Sequence, residues 1–195
     1  MTAGRDCTLR VALVVGCVEH GAVQTYNSAL YLEHGAVVHV QRKTHLPTSG
    51  RFEEHKHFSQ GPALRAFDTR LGRLALLICN DAWQPPLAFL AVHDGARVLV
   101  VPACSSLEPG TGTDPAEVER DWSDLLRFHA RFLQAYVVFV NRVGEEAGLN
   151  VLGRLAGGGP VGTSPRARAA RRAGARARRS STSGPCAGAG ARSRC

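Results

Sequence analysis

The chain has 195 residues, enough for one domain or a small two-domain protein. Its longest apolar runs fall far below the about 20 residues that a transmembrane helix needs, so no membrane is expected as a partner. Its six cysteines show neither C-x-x-C nor zinc-finger spacing, which argues against a metal finger and favours reduced thiols in the cytoplasm.

The net charge of +8 is distributed unevenly along the chain. Ten of the 24 Lys and Arg residues are arginines beyond residue 150, where no acidic residue occurs; residues 1–150 therefore hold 14 basic and 16 acidic residues, a net charge of −2. A mildly acidic globular part does not favour nucleic acid as its partner.

The first elements are predicted to be three strands in quick succession, at residues 9–18, 26–32 and 37–41. His34-Gly35 is a plausible tight turn between the second and third strands. Such an antiparallel meander places Lys43 at one edge of a sheet. On its own, Lys43 is more simply interpreted as a solvated residue at a strand end.

Residues 44–61 are predicted to form a long loop, and long ordered loops in compact domains are often functional. His55 and His57 lie in this loop beside two glutamates. Zinc sites need three or four ligands from converging segments, so the pair is interpreted as part of a solvated loop. Neither a metal nor a cofactor is expected.

The most informative stretch contains an apolar strand at residues 74–78, a sharp turn at Cys79 and a helix that begins near Pro85. Strand, turn and helix in this order hold a nucleophile clear of the sheet and near backbone N–H groups that receive an oxyanion. The alternative is an inert core cysteine. A cation such as Lys43 beside the thiol would favour the thiolate.

After this helix, another strand is predicted at residues 97–101. The strand at residues 74–78, the helix and this strand together make a βαβ-like crossover. The loop after this strand contains Cys104 and Ser105, and it is expected to line the same pocket as Cys79. Cys104 is interpreted as a wall residue of that pocket, because no base is assigned to it.

A second helix is predicted to follow, with Asp114 as its N-cap and Pro115 at its first position. His129 lies on the apolar stripe of this helix and is interpreted as a packing histidine rather than a base. A last strand at residues 136–144 carries Asn141, which is predicted to face the pocket.

Five separated segments of the sequence, taken together, match the pattern of a known family. Two of them are Cys79-Asn80-Asp81-Ala82-Trp83 and Asn141-Arg142-Val143-Gly144. In their order and spacing they resemble the carbon-nitrogen hydrolase (nitrilase) superfamily from about residue 10 to about residue 153. The amidase-type members are most similar, including the glutaminase domains of NAD synthetases. The five segments are residues 41–47, 52–61, 77–83, 94–103 and 138–144.

The resemblance implies an α/β fold, the nitrilase-type four-layer α-β-β-α sandwich, here incomplete. It also implies a Glu-Lys-Cys site. Cys79 would be the nucleophile that forms a thioester, and Lys43 and the backbone N–H of Asn80 would bind the oxyanion. Glu54 would position Lys43, with Glu53 as the second candidate. The further residues predicted to line the pocket are Trp83, Cys104, Ser105 and Asn141.

The general-base glutamate of the superfamily lies in a Pro-Glu segment before the first strand predicted here, and this chain is expected to lack it. Glu19 aligns with a residue that is not catalytic in the superfamily. The resemblance therefore implies an N-terminally truncated hydrolase of amides or nitriles with impaired activity. An inactive fragment or a partner subunit is the alternative.

Residues 154–195 are rich in Arg, Ala and Gly and lack aliphatic periodicity, so they are predicted to be a disordered tail behind a partial hydrolase domain at residues 1–153. One interpretation is a frameshift product of a GC-rich gene. The other is an arm that binds nucleic acid through phosphates. Small amides or nitriles are the expected partners, and a homo-oligomer is left open.

Overall fold

The computed structural model describes residues 11–48, 52–107, 114–146, 149–151 and 155–159. The helices in this part of the chain are α1 (Pro85–His93) and α2 (Pro115–Phe132), with short 3₁₀ helices at Glu54–Lys56 and Cys79–Trp83. The strands are β1 (Leu13–His20), β2 (Thr25–Glu33), β3 (Ala36–Arg42), β4 (Phe67–Thr69), β5 (Gly72–Leu76), β6 (Val98–Ala103), β7 (Ser106–Leu107), β8 (Tyr136–Asn141), β9 (Gly144–Glu146), β10 (Leu149–Val151) and β11 (Leu155–Gly158).

The first sheet is the antiparallel meander β1-β2-β3, as the sequence predicts. His34 and Gly35, between β2 and β3, both have positive φ values, of 52° and 76°. Two consecutive residues with positive φ are typical of the tight turns whose twist matches that of the flanking strands. The chain leaves β3 at Arg42, so Lys43 begins the loop at the edge of this sheet.

The second sheet has the order β11-β8-β6-β5-β4, with β5, β6 and β8 parallel. Helix α1 connects β5 to β6 as the predicted crossover. Gly95 follows this helix with a φ of 95°, a backbone conformation that favours glycine. A third, small sheet is formed by β7, β10 and β9.

Two apolar clusters give the order of the layers. One lies between the second sheet and helices α1 and α2, and includes Leu99, Trp122 and Phe139. The other lies between the two sheets, where Tyr31 of the first sheet packs near Leu76 of the second. The described residues therefore form three layers in the order helix, sheet and sheet, and the α/β class predicted from the sequence is confirmed.

The outer face of the first sheet is apolar and accessible to solvent. On this face Leu13 of β1 pairs with Leu32 of β2. Val15 of β1 pairs with Leu30 of β2, and Leu30 pairs in turn with Val40 of β3. Leu13, Val15 and Val40 are exposed, and no described helix covers them. This is the face on which a fourth layer would pack.

Strand β11 (Leu155–Gly158) pairs antiparallel with β8, within the segment predicted to be disordered. The composition of this segment concealed the strand, because it pairs through backbone hydrogen bonds that need no apolar periodicity. The domain boundary after residue 153 stays a prediction. Residues 1–10 and 160–195, which include nearly all of the predicted tail, lie outside the described residues.

The described helices are also too short or too polar to cross a membrane.

A buried carboxylate joins the ends of the two large sheets. Asp81 accepts hydrogen bonds from the backbone N–H of His45 at 2.7 Å and from the Thr44 hydroxyl at 2.9 Å. It also accepts from the N–H of Thr44 at 3.2 Å and from the N–H of Ile78 at 3.1 Å. Thr44 and His45 follow β3, whereas Ile78 follows β5, so one side chain couples the two sheets.

Replacing Asp81 with alanine is expected to lower the free energy of unfolding by about 3 kcal/mol or more, because buried donors lose their acceptor. Urea unfolding followed by circular dichroism measures this loss. Asp68→Ala is the matched control, since Asp68 is largely exposed and pairs with Arg73 at the surface. Equal urea midpoints for the two variants would contradict the role given to Asp81.

Candidate active site

Cys79 lies at a strained turn. It follows the β5 segment and is the first residue of the 3₁₀ helix Cys79–Trp83, and its φ of 50° is unusual for a residue with a side chain. Such strain persists where the surrounding structure imposes it, and it concentrates at functional sites. The sharp strand-to-helix turn predicted from the sequence is therefore present at Cys79.

A cavity of about 490 Å³ opens beside Cys79. The predicted site residues that line it are Lys43, Glu54, Cys79, Asn80, Trp83, Cys104 and Ser105. Residues from the sheets, from α2 and from the loops between these elements complete its wall: Gly16, Asn27, Ser28, Ala29, Pro47, Phe52, Ile78, Pro102, Ala103, Ser106, Val118, Trp122 and Arg142. The polar groups predicted to carry the chemistry thus converge on one space large enough for a small molecule.

Lys43 is the buried cation of this cavity. Its side chain is 2% exposed, and its Nζ donates to Oε1 of Glu54 at 2.7 Å. Its backbone is held on both sides, since its N–H donates to Asn27 and its carbonyl accepts from the N–H of Gly61, each at 2.8 Å. A Cβ at Gly61 would lie 2.5 Å from the carbonyl oxygen of Arg42, so this close approach requires glycine.

Of the two candidate glutamates, Glu54 is the one that meets Lys43. Glu53 instead pairs with Lys56 at the surface. Oε2 of Glu54 is buried and has no hydrogen-bond partner among the described residues. The cavity therefore contains an ion pair with one acceptor oxygen still available.

Several effects act on the pKa of the Cys79 thiol. Burial is the largest and raises the pKa above its ordinary value. The charge of Lys43 and a hydrogen bond from the backbone N–H of Cys104 lower the pKa, whereas the charge of Glu54 raises it. Because burial prevails, the resting group is mainly a thiol at neutral pH, and it must lose a proton to act as a nucleophile.

Asn141 lies one layer behind the cavity wall. Its Oδ1 accepts from the N–H of Ser105 at 2.8 Å, and its Nδ2 donates to the carbonyl oxygen of Ser105 at 3.1 Å. Ser105, and not Asn141, lines the cavity here. The sequence predicted that Asn141 faces the pocket; the structure places its amide against the loop that forms the wall.

Two other polar residues have structural partners. His129 is buried, and its Nε2 lies 2.7 Å from the carbonyl oxygen of Ala82, which agrees with the predicted packing role. Burial lowers the pKa of His129. Glu19 accepts from Ser28 at 2.7 Å and from Arg42 at 3.0 Å, and the hydrogen bond from Arg42 is the first cause that lowers the pKa of Glu19.

Sequence reasoning missed several residues of the site. Asn27 and Ser28 are polar residues inside a predicted strand, which is the signal that could have identified them. Trp122, on α2, lines the cavity as well. Among the described residues, no three potential metal ligands converge.

The α/β sandwich brings a thiol, a buried ammonium and a carboxylate into one cavity. The family model for carbon-nitrogen hydrolases matches residues 7–180. The chain belongs to the carbon-nitrogen hydrolase family.

Two curated relatives show where the similarity lies. N-carbamoylputrescine amidase of Arabidopsis thaliana is 29% identical over 141 residues, which are 71% of this chain and 46% of the relative. The glutamine-dependent NAD(+) synthetase of Rhodobacter capsulatus is 39% identical over 88 residues, 44% of this chain and 16% of the relative. The chain spans less than half the length of either relative.

Solved structures confirm the nitrilase-type fold. The carbon-nitrogen hydrolase of Helicobacter pylori superposes with a TM-score of 0.76 at 26% identity, over 82% of this chain and 59% of the other. The E41Q mutant of the amidase from Nesterenkonia sp. AN1 superposes with a TM-score of 0.67 at 25% identity, over 80% and 57%. That structure shows Michael addition of acrylamide at the active-site cysteine of the amidase.

The charges around Cys79 predict opposite effects of two substitutions on its alkylation by iodoacetamide. Lys43→Met removes a positive charge that favours the thiolate, so the midpoint of the rate against pH is expected to rise by about 1 in pH. Glu54→Gln removes a negative charge and is expected to lower this midpoint. Peptide mass spectrometry at each pH follows Cys79 separately from the other thiols.

The ion pair between Lys56 and Glu53 at the surface provides matched controls. Lys56→Met and Glu53→Gln make the same changes of charge, but outside the cavity. Both are expected to leave the midpoint unchanged. Shifts as large in these controls as in the cavity variants would show that Lys43 and Glu54 have no special relation to Cys79.

Proposed function

We propose that this chain is built to hydrolyse a non-peptide carbon-nitrogen bond of a small carboxamide or nitrile through a thioester at Cys79. The observation that carries the proposal is the buried Lys43–Glu54 pair in the same cavity as a cysteine held at a strained turn. A fixed ammonium beside a nucleophile is suited to stabilising the negative charge that develops on a carbonyl oxygen.

For a carboxamide the reaction proceeds in two halves. Sγ of Cys79 bonds to the carbonyl carbon, and Lys43 and the backbone N–H of Asn80 receive the oxyanion. The C–N bond then breaks, and ammonia or an amine leaves with the proton of the thiol. Water attacks the resulting thioester, which releases a carboxylic acid and regenerates the thiol.

The cavity walls suit a small, planar and partly apolar substrate. Trp83 and Trp122 line the cavity, and their rings meet edge to face with centroids 5.1 Å apart. Cys104 and Ser105 form the wall that follows β6. The similarity to an amidase of carbamoylputrescine and to the amidase from Nesterenkonia favours an amide over a nitrile.

Proton transfer is the step that the described cavity lining supports least. Among the described residues that line the cavity, Glu54 is the one carboxylate, and Lys43 binds its Oε1. A positioned general base contributes typically about 10²–10⁴ to a rate. We therefore include impaired turnover in the proposal, with a non-catalytic fragment or partner subunit as the alternative.

Fluoroacetamide tests the nucleophile without requiring turnover, because Sγ displaces fluoride in a single step. We expect a carboxamidomethyl adduct on Cys79, identified by peptide mass spectrometry, and no adduct at that position in Cys79→Ala. Cys17→Ala is the control that must retain it, since Cys17 lies on β1 and outside the described cavity lining. Labelling confined to Cys17 or Cys104 would exclude Cys79 as the nucleophile.

Release of ammonia from a carboxamide tests the proposed impairment. We expect a rate about 10²–10⁴ below that of the Nesterenkonia amidase assayed in parallel, since Glu54, the one carboxylate of the described lining, is bound to Lys43. An equal rate would contradict the impairment. Adduct formation without measurable ammonia release would favour the non-catalytic alternative.

A further inference from the structure

The 3₁₀ helix that begins at Cys79 and ends at Trp83 is held at two residues between its ends. Asp81 accepts hydrogen bonds from the segments that follow β3 and β5. The carbonyl oxygen of Ala82 lies 2.7 Å from Nε2 of the buried His129 on α2. Because this helix has only five residues and both anchors lie inside it, the position of Trp83 relative to Cys79 is fixed.

The ring of Trp122, on α2, is fixed by contacts of its own. Trp122 is 5% exposed, and its Nε1 donates to the hydroxyl of Ser105 at 3.1 Å. It also stacks on Phe139 of β8, with ring centroids 4.6 Å apart and an interplanar angle of 30°. A ring held by a hydrogen bond and by a stacked neighbour is a firm support for another aromatic ring.

Trp83 rests against this supported ring and is still partly open to solvent. The rings of Trp83 and Trp122 meet edge to face, with centroids 5.1 Å apart and an interplanar angle of 72°. Trp83 is nevertheless 38% exposed, and it lines the cavity together with Cys79. An indole therefore forms a rigid apolar wall of the cavity that contains the nucleophile.

The group attached to a substrate's carbonyl carbon meets mostly apolar walls in this cavity. Besides the two tryptophans, the described lining includes Phe52, Ile78 and Val118. Of its charged residues, Lys43 and Glu54 bind each other at 2.7 Å. Apolar walls alone accept any apolar group of suitable size, so the fixed indole is the feature that can discriminate between such groups.

We propose that Trp83 is a specificity-determining residue, and that the cavity takes a carboxamide whose carbonyl carbon is attached to a flat aromatic ring. The proposal rests on the function proposed for this site, hydrolysis of a carboxamide at Cys79. An aromatic ring gains an offset-stacked or edge-to-face contact with the indole, which a saturated ring does not make. Because Trp83 is already held in place, little side-chain freedom is lost on binding.

A packing role for Trp83 alone explains less of this arrangement. Single exposed apolar side chains are common on protein surfaces, and Phe89 of α1, which is 45% exposed outside the described cavity lining, is one of them. Trp83 differs because a second, anchored ring supports it and because it shares a cavity with Cys79.

Protection of Cys79 from iodoacetamide by two amides of the same carbon skeleton tests the proposal. Benzamide carries a flat ring, whereas cyclohexanecarboxamide carries a puckered saturated ring with at least as much apolar area, so burial alone does not favour benzamide. We expect benzamide to halve the alkylation rate at a concentration about five times lower than cyclohexanecarboxamide does. Peptide mass spectrometry follows Cys79 separately from Cys104, which lines the same cavity.

Substitutions of Trp83 assign the preference to its ring. Trp83→Leu is expected to reduce the preference for benzamide to about twofold or less, and Trp83→Phe, which keeps a ring, is expected to retain most of it. Phe89→Leu is the matched control and should leave the preference unchanged, since Phe89 lies outside the described lining. A full preference in Trp83→Leu, or an equal loss in Phe89→Leu, would contradict the role given to Trp83.

The comparison of the two amides in the unaltered chain remains decisive even if Trp83→Leu does not fold. Protection does not depend on amide turnover, so two failures can be distinguished. If both amides protect Cys79 at equal concentrations, the aromatic preference is wrong and the proposed function stands. If neither amide protects Cys79, the assignment of this cavity as a carboxamide site is wrong as well.

Discussion

The relative position of the Cys79 thiol and the Lys43 ammonium depends on the buried carboxylate of Asp81. This group binds the backbone of Thr44 and His45, which directly follow Lys43, and the backbone of Ile78, which directly precedes Cys79. Burial raises the pKa of Asp81, and these hydrogen bonds oppose that rise. One acceptor therefore sets the separation of two segments that belong to different sheets.

Around this connection the protein maintains features that stability alone does not favour. Cys79 adopts a left-handed backbone conformation, which costs about 1–3 kcal/mol. Lys43 and Glu54 lose most of their hydration, and apolar residues often replace such a buried pair without loss of stability. Their concentration around one cavity is what a reactive centre requires, because fixed charges and a held nucleophile need little reorganisation during the reaction.

Local patterns in the sequence predicted most of the fold and singled out Lys43 and Cys79, which the structure places in one cavity. Closely spaced strand segments with a turn at His34-Gly35 indicated β1–β3, an apolar run indicated β5, and Lys43 and Cys79 follow the ends of such strands. The layer occupied by Asn141 was not predictable, because the direction of a side chain at a strand end depends on pairing with β6. Asp81 was missed as a connector, since its partners are 36 and 37 residues distant in sequence.

An experimental structure of the chain after reaction of Cys79 with fluoroacetamide tests the central claim most directly. The adduct carries its carbonyl oxygen three bonds from the sulfur, one bond further than in a thioester. Our account predicts that this oxygen lies about 3 Å from Nζ of Lys43, with Glu54 still bound to that Nζ. A carbonyl oxygen turned away from Lys43, or a Lys43 side chain outside the cavity, would contradict it.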